Sequence, residues 1–214
     1  MKKKITLLGI MILLLTGCTS INNISYQEII TSVVTSNYEL TNTYRKGYKY
    51  YLPNGMDSVN TKDFNEIIED KYYNYYLYVD AVSYYNRVIE DYQKDDNAYY
   101  SEKINFEDKF GYIEVNKQKN DKYFIEIMYN YAKIEVIVDE KDLNKAICNS
   151  IIILSSINYN NDILSNIVGD NILEFNEEVL DIFKAKKEKS NFLEVEENNV
   201  YEDVEEEKDP DLVD

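Results

Sequence analysis

The apolar positions of this chain change their period several times, and each change marks an element. Ile5 to Leu15 are apolar almost without interruption. Tyr26, Ile29, Ile30, Val33 and Val34 then recur at helical spacing, which predicts a helix over 26–37 with one apolar stripe that can lie on a sheet. Ser25-Tyr26-Gln27-Glu28, just ahead of that stripe, matches a capping box, in which the Ser and Glu side chains satisfy free backbone donors of the first turn. From Gly47 to Asp139 the pattern shortens to β-rich runs, GYKYYL, FNEIIED, YYLYVDAVSYY, AYYSEKI, GYIEVN, KYFIEIMY and KIEVIVD. Polar breaks at Pro53-Asn54-Gly55, Lys94 to Asn97 and Gln118 to Asp121 separate them and predict hairpins in a meandering antiparallel sheet. Residues 123–138 are apolar on both faces, as central strands covered on two sides would be.

After Asp139 the helical period returns, with Leu143, Ala146, Ile147, Ile151 and Leu154 on one stripe, and a further helix is predicted near 172–187. Residues 194–214 carry 11 acids against one lysine and keep no apolar stripe, which reads as a disordered, solvating tail over 190–214. The expected organisation is therefore a leader over 1–17, a spacer over 18–24, a single domain over 25–189 and the tail. Helix, antiparallel sheet and helices in that order make an α+β fold, an α/β/α sandwich whose length is ample for a core.

The first apolar run changes the picture most. Lys2, Lys3 and Lys4 precede it and the small residues Thr16 and Gly17 follow, which is the layout of an export signal. A membrane-spanning helix needs about 20 apolar residues, and this run is nearer a dozen. Leu15-Thr16-Gly17-Cys18 resembles the lipobox of bacterial lipoproteins, where the cysteine thiol receives a diacylglyceryl group and cleavage makes that cysteine the new N-terminus. The resemblance implies lipidation at Cys18 and a place on the outer face of the cytoplasmic membrane. Two acyl chains, at about 0.8 kcal/mol per buried methylene, hold a domain at a bilayer durably.

Charge and composition narrow the chemistry. The chain has 23 basic and 40 acidic residues, and removing the three leader lysines leaves 20 against 40, net −20. Such a surface repels phosphate backbones, so no nucleic-acid partner is expected. Histidine is absent, which excludes Ser-His-Asp and Cys-His catalysis and the commonest zinc ligand sets. Glycine is too scarce for phosphate-cradling loops, and Asp95-Asp96-Asn97 lacks the ligand spacing of a calcium loop, so neither cofactor nor metal is expected. Cys148, in an apolar helical stretch, reads as a small core residue without a disulfide partner.

The candidate binding surface is built from strand residues. If YYLYVDAVSYY is one strand, Tyr76, Tyr78, Asp80 and Tyr84 point one way, and Glu114, Glu126 and Glu135 from other strands can join them. Phenols beside carboxylates stack on and hydrogen-bond a sugar or peptide. The plainer account is a set of amphipathic strands half covered by the first helix, tyrosine being a good strand former. The stretches GYKYYLPNGM, YYLYVDAVSYY and NYAKIEV followed by ICNSIIILSSINYN, within residues 44–160, resemble a group of small lipoproteins of low-GC Gram-positive-type bacteria and, more distantly, the Mog1/PsbP-like fold. That resemblance implies a curved antiparallel sheet flanked by helices and used for binding and assembly, with no functional residues carried over.

The expected function is a lipid-anchored envelope protein acting as a non-enzymatic binding or assembly module, tied to the membrane through Cys18 and to an envelope protein or wall component. The alternative is a carboxylate-dependent hydrolase of wall polymer or peptide, using Asp80 or a strand glutamate; its two carboxyls would stand about 5 to 9.5 Å apart. With 40 acids in the chain, some pair meets that distance by chance.

Overall fold

The computed structural model describes residues 21, 24–36, 40–89 and 91–168. The leader, Cys18, the predicted helix near 172–187 and the acidic tail lie outside the described residues. Ten strands and four α-helices are described, in the order α1 (Tyr26–Thr35), β1 (Thr43–Arg45), β2 (Tyr48–Tyr50), β3 (Asp57–Lys62), β4 (Asn65–Glu69), β5 (Asn74–Val79), α2 (Ala81–Asn86), β6 (Tyr100–Phe106), β7 (Lys109–Lys117), β8 (Lys122–Tyr129), β9 (Ala132–Asp139), α3 (Leu143–Ser155), β10 (Asn158–Tyr159) and α4 (Asn161–Val168).

The α+β class read from the sequence holds: antiparallel sheet flanked by an N-terminal helix and later helices. The main sheet has seven strands in the order β3-β4-β5-β9-β8-β7-β6, two meanders joined by the β5–β9 ladder. Every ladder is antiparallel. One face carries Tyr75, Leu77 and Val79 from β5, Ile134, Val136 and Val138 from β9 and Ile125 and Ile127 from β8, all buried. Helix α3 lies across β8 and β9 on this face and buries Leu143, Ala146, Ile147, Ile151 and Leu154, the stripe its sequence predicts. Helix α1 packs on α3 and touches the edge strand β6. Its capping box is formed: the Ser25 hydroxyl accepts from the Glu28 backbone N–H at 3.3 Å, and the Ser25 N–H donates to the Glu28 carboxylate at 3.0 Å.

Four features depart from the sequence reading. GYKYYL does not enter the main sheet; β2 is the centre of a separate three-stranded sheet, β1-β2-β10. Strand β3, the polar and largely exposed DSVNTK, is an edge strand whose sequence has no apolar alternation to announce it. Helix α4 follows at once on β10 over residues the pattern left unassigned, and buries Leu164. YYLYVDAVSYY, finally, is not one strand. β5 ends at Val79, and Asp80 turns the chain into α2 by accepting the Ser83 N–H at 2.8 Å while its own N–H donates to the Tyr131 carbonyl at 2.9 Å. A short acidic side chain that can cap a helix ends a strand here, against the strand propensity of the tyrosines beyond it.

Candidate functional site

The face of the main sheet opposite α3 holds most of the predicted surface, arranged as a row. In the register of the ladders Tyr76 faces Glu135, Glu135 faces Glu126, Glu126 faces Glu114 and Glu114 faces Ser101, so that three glutamates stand side by side on β9, β8 and β7. One step along the strands Tyr78 faces Lys133, which faces Met128 and then Tyr112. Tyr76, Tyr78, Glu114, Glu126 and Glu135 thus share one face, as the alternation predicts.

Asp80 and Tyr84 do not belong to it, and this corrects the sequence reading. The Asp80 carboxylate is buried as the cap of α2. Tyr84 sits on that helix, stacked on Tyr159 of β10 at 3.8 Å between ring centres and 17° between planes, edge-on to Tyr131 at 5.5 Å. The Arg87 guanidinium lies 4.6 Å from its ring, and its hydroxyl donates to the Asn161 side chain at 2.9 Å. Tyr84 therefore fastens α2 to β10 and α4.

Like charges directly opposite on neighbouring strands destabilise a sheet, and Glu114 and Glu126 are both buried. The row persists because each carboxylate is given donors. Tyr112 donates its hydroxyl to Glu126 at 2.9 Å. Glu114 accepts from the Tyr92 hydroxyl at 2.8 Å and from the Asn116 amide at 2.8 Å. The Lys133 ammonium pairs with Glu135 at 3.1 Å, both side chains being largely buried. Tyr92 arrives from the irregular segment between α2 and β6 and stacks on Tyr112 at 4.0 Å and 4°. Its hydroxyl is 2.7 Å from that of Ser101, whose oxygen also accepts the Asp95 N–H at 3.0 Å, so the segment is clasped onto the sheet. Burial, together with the Glu114 carboxylate, pushes the Tyr92 phenol well above its ordinary range and keeps it a donor.

Sequence reasoning did not single out Tyr92, Tyr112, Lys133, Asn116 or Ser101. Lys133 and Asn116 are detectable in principle, each two residues from a glutamate on a strand and hence on its face. Tyr92 comes from a loop with no periodicity and gives no such signal.

Chemically, the row is a wall of mutually satisfied acceptors and donors. Among the described residues no group of three or more acidic, cysteine or histidine side chains is arranged to hold a metal ion. A cavity of ≈ 30 Å³, room for a water or two, lies beside the row, lined by residues that include Val88, Ile89, Phe110, Met128 and Tyr131. Val88, Ile89 and Phe110 are exposed at its rim. Cys148 is half-buried on α3, and burial pushes its thiol up, away from nucleophile chemistry.

Removing one donor tests the balance of the row. Tyr92→Phe keeps the ring stack on Tyr112 but takes a hydrogen bond from the buried Glu114 carboxylate, and is expected to lower stability by about 1.5–3 kcal/mol in urea titrations. A loss below about 0.5 kcal/mol, the scatter of inert surface changes, would show that Glu114 draws its stability elsewhere.

Compared with known proteins, the chain matches no family model and no curated relative.

Proposed function

We propose that the chain is a lipid-anchored envelope protein whose domain works by non-covalent contact, as a binding or assembly module on the outer face of the cytoplasmic membrane. The observation that carries this reading is the register of Lys2 to Lys4, the apolar run to Leu15 and the Leu15-Thr16-Gly17-Cys18 box. Among the described residues no helix is long and apolar enough to cross a membrane. Attachment in this reading is through the Cys18 thioether and its acyl chains.

Non-covalent action is favoured by the state of the glutamate row. General acid–base work needs a carboxyl within reach of a substrate proton, about 2.6–3.2 Å or one water away. Glu114, Glu126 and Glu135 each spend acceptor capacity on a donor of their own chain. Asp80 spends its carboxylate on a helix cap. What this side of the domain offers a partner is aromatic and aliphatic area at Val88, Ile89 and Phe110 beside the satisfied polar wall. The resemblance to small lipoproteins and, more distantly, to the Mog1/PsbP-like fold belongs to the same reading.

Cell fractionation of the Cys18→Ala variant tests it. The variant is expected to leave the membrane pellet almost completely, because it loses the acyl chains, while the parent chain stays there through a high-salt wash. A variant retained as well as the parent would refute the tether.

A further inference from the structure

The ends of the main sheet differ, and one of them is tied to the start of the fold. Ile21 is only three residues beyond Cys18. The Asn144 side-chain amide, in the first turn of α3, donates to the Ile21 carbonyl at 2.8 Å and to the Ile24 carbonyl at 2.7 Å. Ile21 and Ile24 also pack against the core. Two residues of the stretch that the sequence suggests as a spacer, Ile21 and Ile24, are thus held on the domain. Three residues reach at most about 10 Å. Wherever the Cys18 acyl chains sit, Asn144 lies within about that distance plus the reach of the lipid linkage, and the sheet end at the start of α3 is the one nearest to them.

The same end gathers the β4–β5 turn, the β7–β8 turn and the β9–α3 junction. Its composition departs from that of the chain. Segments 70–73, 117–122 and 139–145 hold six lysines against five carboxylates, and the paired strand ends Asp57 and Glu69 beside them bring the carboxylates to seven, still near neutrality in a protein of net charge −17. Tyr72, 66 % exposed, and Tyr99, 50 % exposed, project from it. Tyr99 packs edge-on against Tyr123 at 4.9 Å, and Lys71 lies 5.1 Å from the Tyr72 ring centre. Ion pairs Lys117–Asp121 and Lys122–Asp139 are exposed on both sides, and Lys145–Asp70 on the lysine side. Pairs of this kind are weak enough to exchange a carboxylate for a phosphate. Tyrosine at the level of the head groups and lysine beside it is the composition that suits a bilayer surface.

We infer that this end of the sheet, through Lys71, Lys117, Lys119, Lys141, Tyr72 and Tyr99, is a docking surface for the lipid head groups of the bilayer that holds Cys18. The inference rests on the lipid-anchor reading and adds an orientation to it. The tether brings the surface to the membrane; near-neutral charge and interfacial tyrosines let it stay, where the acidic remainder of the chain would be repelled by anionic lipid. The opposite end, with the β6–β7 and β8–β9 turns and the apolar residues Val88, Ile89 and Phe110, then points away from the membrane toward other envelope components.

The test uses the acylated full chain, purified from membranes and reconstituted in phosphatidylglycerol vesicles that contain a head-group quencher lipid. In a Cys148→Ala background, a fluorophore is placed at Gln118→Cys or at Asp108→Cys; the strands between them separate the two sites by roughly 25 Å. Strong quenching at 118 and none at 108 is expected. Reversing the charges with Lys71→Glu, Lys119→Glu and Lys141→Glu should abolish most of the quenching at 118. Equal quenching at both sites, or quenching at 118 indifferent to the charge reversal, overturns the docking surface while leaving the anchor intact. Intact mass of the same preparation separates the two readings: a free thiol at Cys18, or an uncut leader, overturns the anchor and the orientation with it.

Discussion

Arg45→Ala is expected to lower the unfolding free energy by about 3–5 kcal/mol, as removal of one partner from a buried ion pair does. Glu66, on β4 of the main sheet, is 2 % exposed and faces the core side. Arg45, on β1 of the small sheet, donates to both Glu66 oxygens, through Nε at 3.2 Å and through Nη2. Nη2 also donates to the Ser58 hydroxyl at 2.8 Å, and Nη1 to the Tyr44 carbonyl at 2.9 Å. Tyr50 of β2 adds its hydroxyl to Glu66 at 2.6 Å. One carboxylate therefore joins β1, β2 and β4, and ties the small sheet to the main one. Without the guanidinium it remains buried with no opposing charge and only neutral donors.

The pair need not be worth that much in itself, since an apolar replacement of both partners often costs little. Arg45→Met with Glu66→Leu is accordingly expected to recover most of the loss, with Tyr50 then short of an acceptor. Urea titration of the parent, the single variants and the double variant measures the coupling directly. A single-variant loss under about 1 kcal/mol, typical of an exposed pair, would mean that solvent reaches Glu66 and that the pair does little to hold the sheets together.

How much of this could be read from the sequence depends on whether a residue's role was local. The Ser25–Glu28 box is complete within four residues and forms as expected. Stripes on α1 and α3, and the alternation that brings Glu114, Glu126 and Glu135 to one face, depend on a period and are legible for that reason. Their adjacency is another matter. It depends on the ladder registers of three strands, and nothing in the sequence of β7 announces that Glu114 will face Glu126.

Asp80 marks the opposite failure. Its neighbours Tyr84 and Tyr85 favour a strand, but the carboxylate had a competing local use as a cap, and tertiary contact with Tyr131 decided for it. Arg45 and Tyr92 were not legible at all as partners. Arg45 meets Glu66 across 21 positions and Tyr92 meets Glu114 across 22, from segments with no periodic pattern.

Gly111→Ala should be the most damaging single-methyl change in the described part of the chain, with an expected loss near the upper end of the 1–3 kcal/mol range for overpacking. Gly111 opens the run GYIEVN and lies inside β7, opposite Tyr129 of β8 and Ile104 of β6. A Cβ there would come within 1.9 Å of the Met128 carbonyl oxygen and 2.8 Å of the Tyr129 Cα. Both are backbone atoms of a central strand, so no rotamer relieves the clash and β7 must move off β8. A glycine inside a strand often marks such a close approach.

Gly55→Ala supplies the comparison. Its φ of +82° makes any side chain unfavourable, but nothing lies within 4 Å of the added methyl, so its cost is limited to conformational strain of about 1 kcal/mol. Thermal melts of the two variants thus separate contact from conformation. Gly111→Ala melting well below Gly55→Ala identifies the β7–β8 contact as the cause, and equal shifts would refute it. Gly111 also lines the small cavity beneath Val88, Ile89 and Phe110, so the displacement that accommodates a methyl there would reshape the surface that the proposed orientation turns away from the membrane.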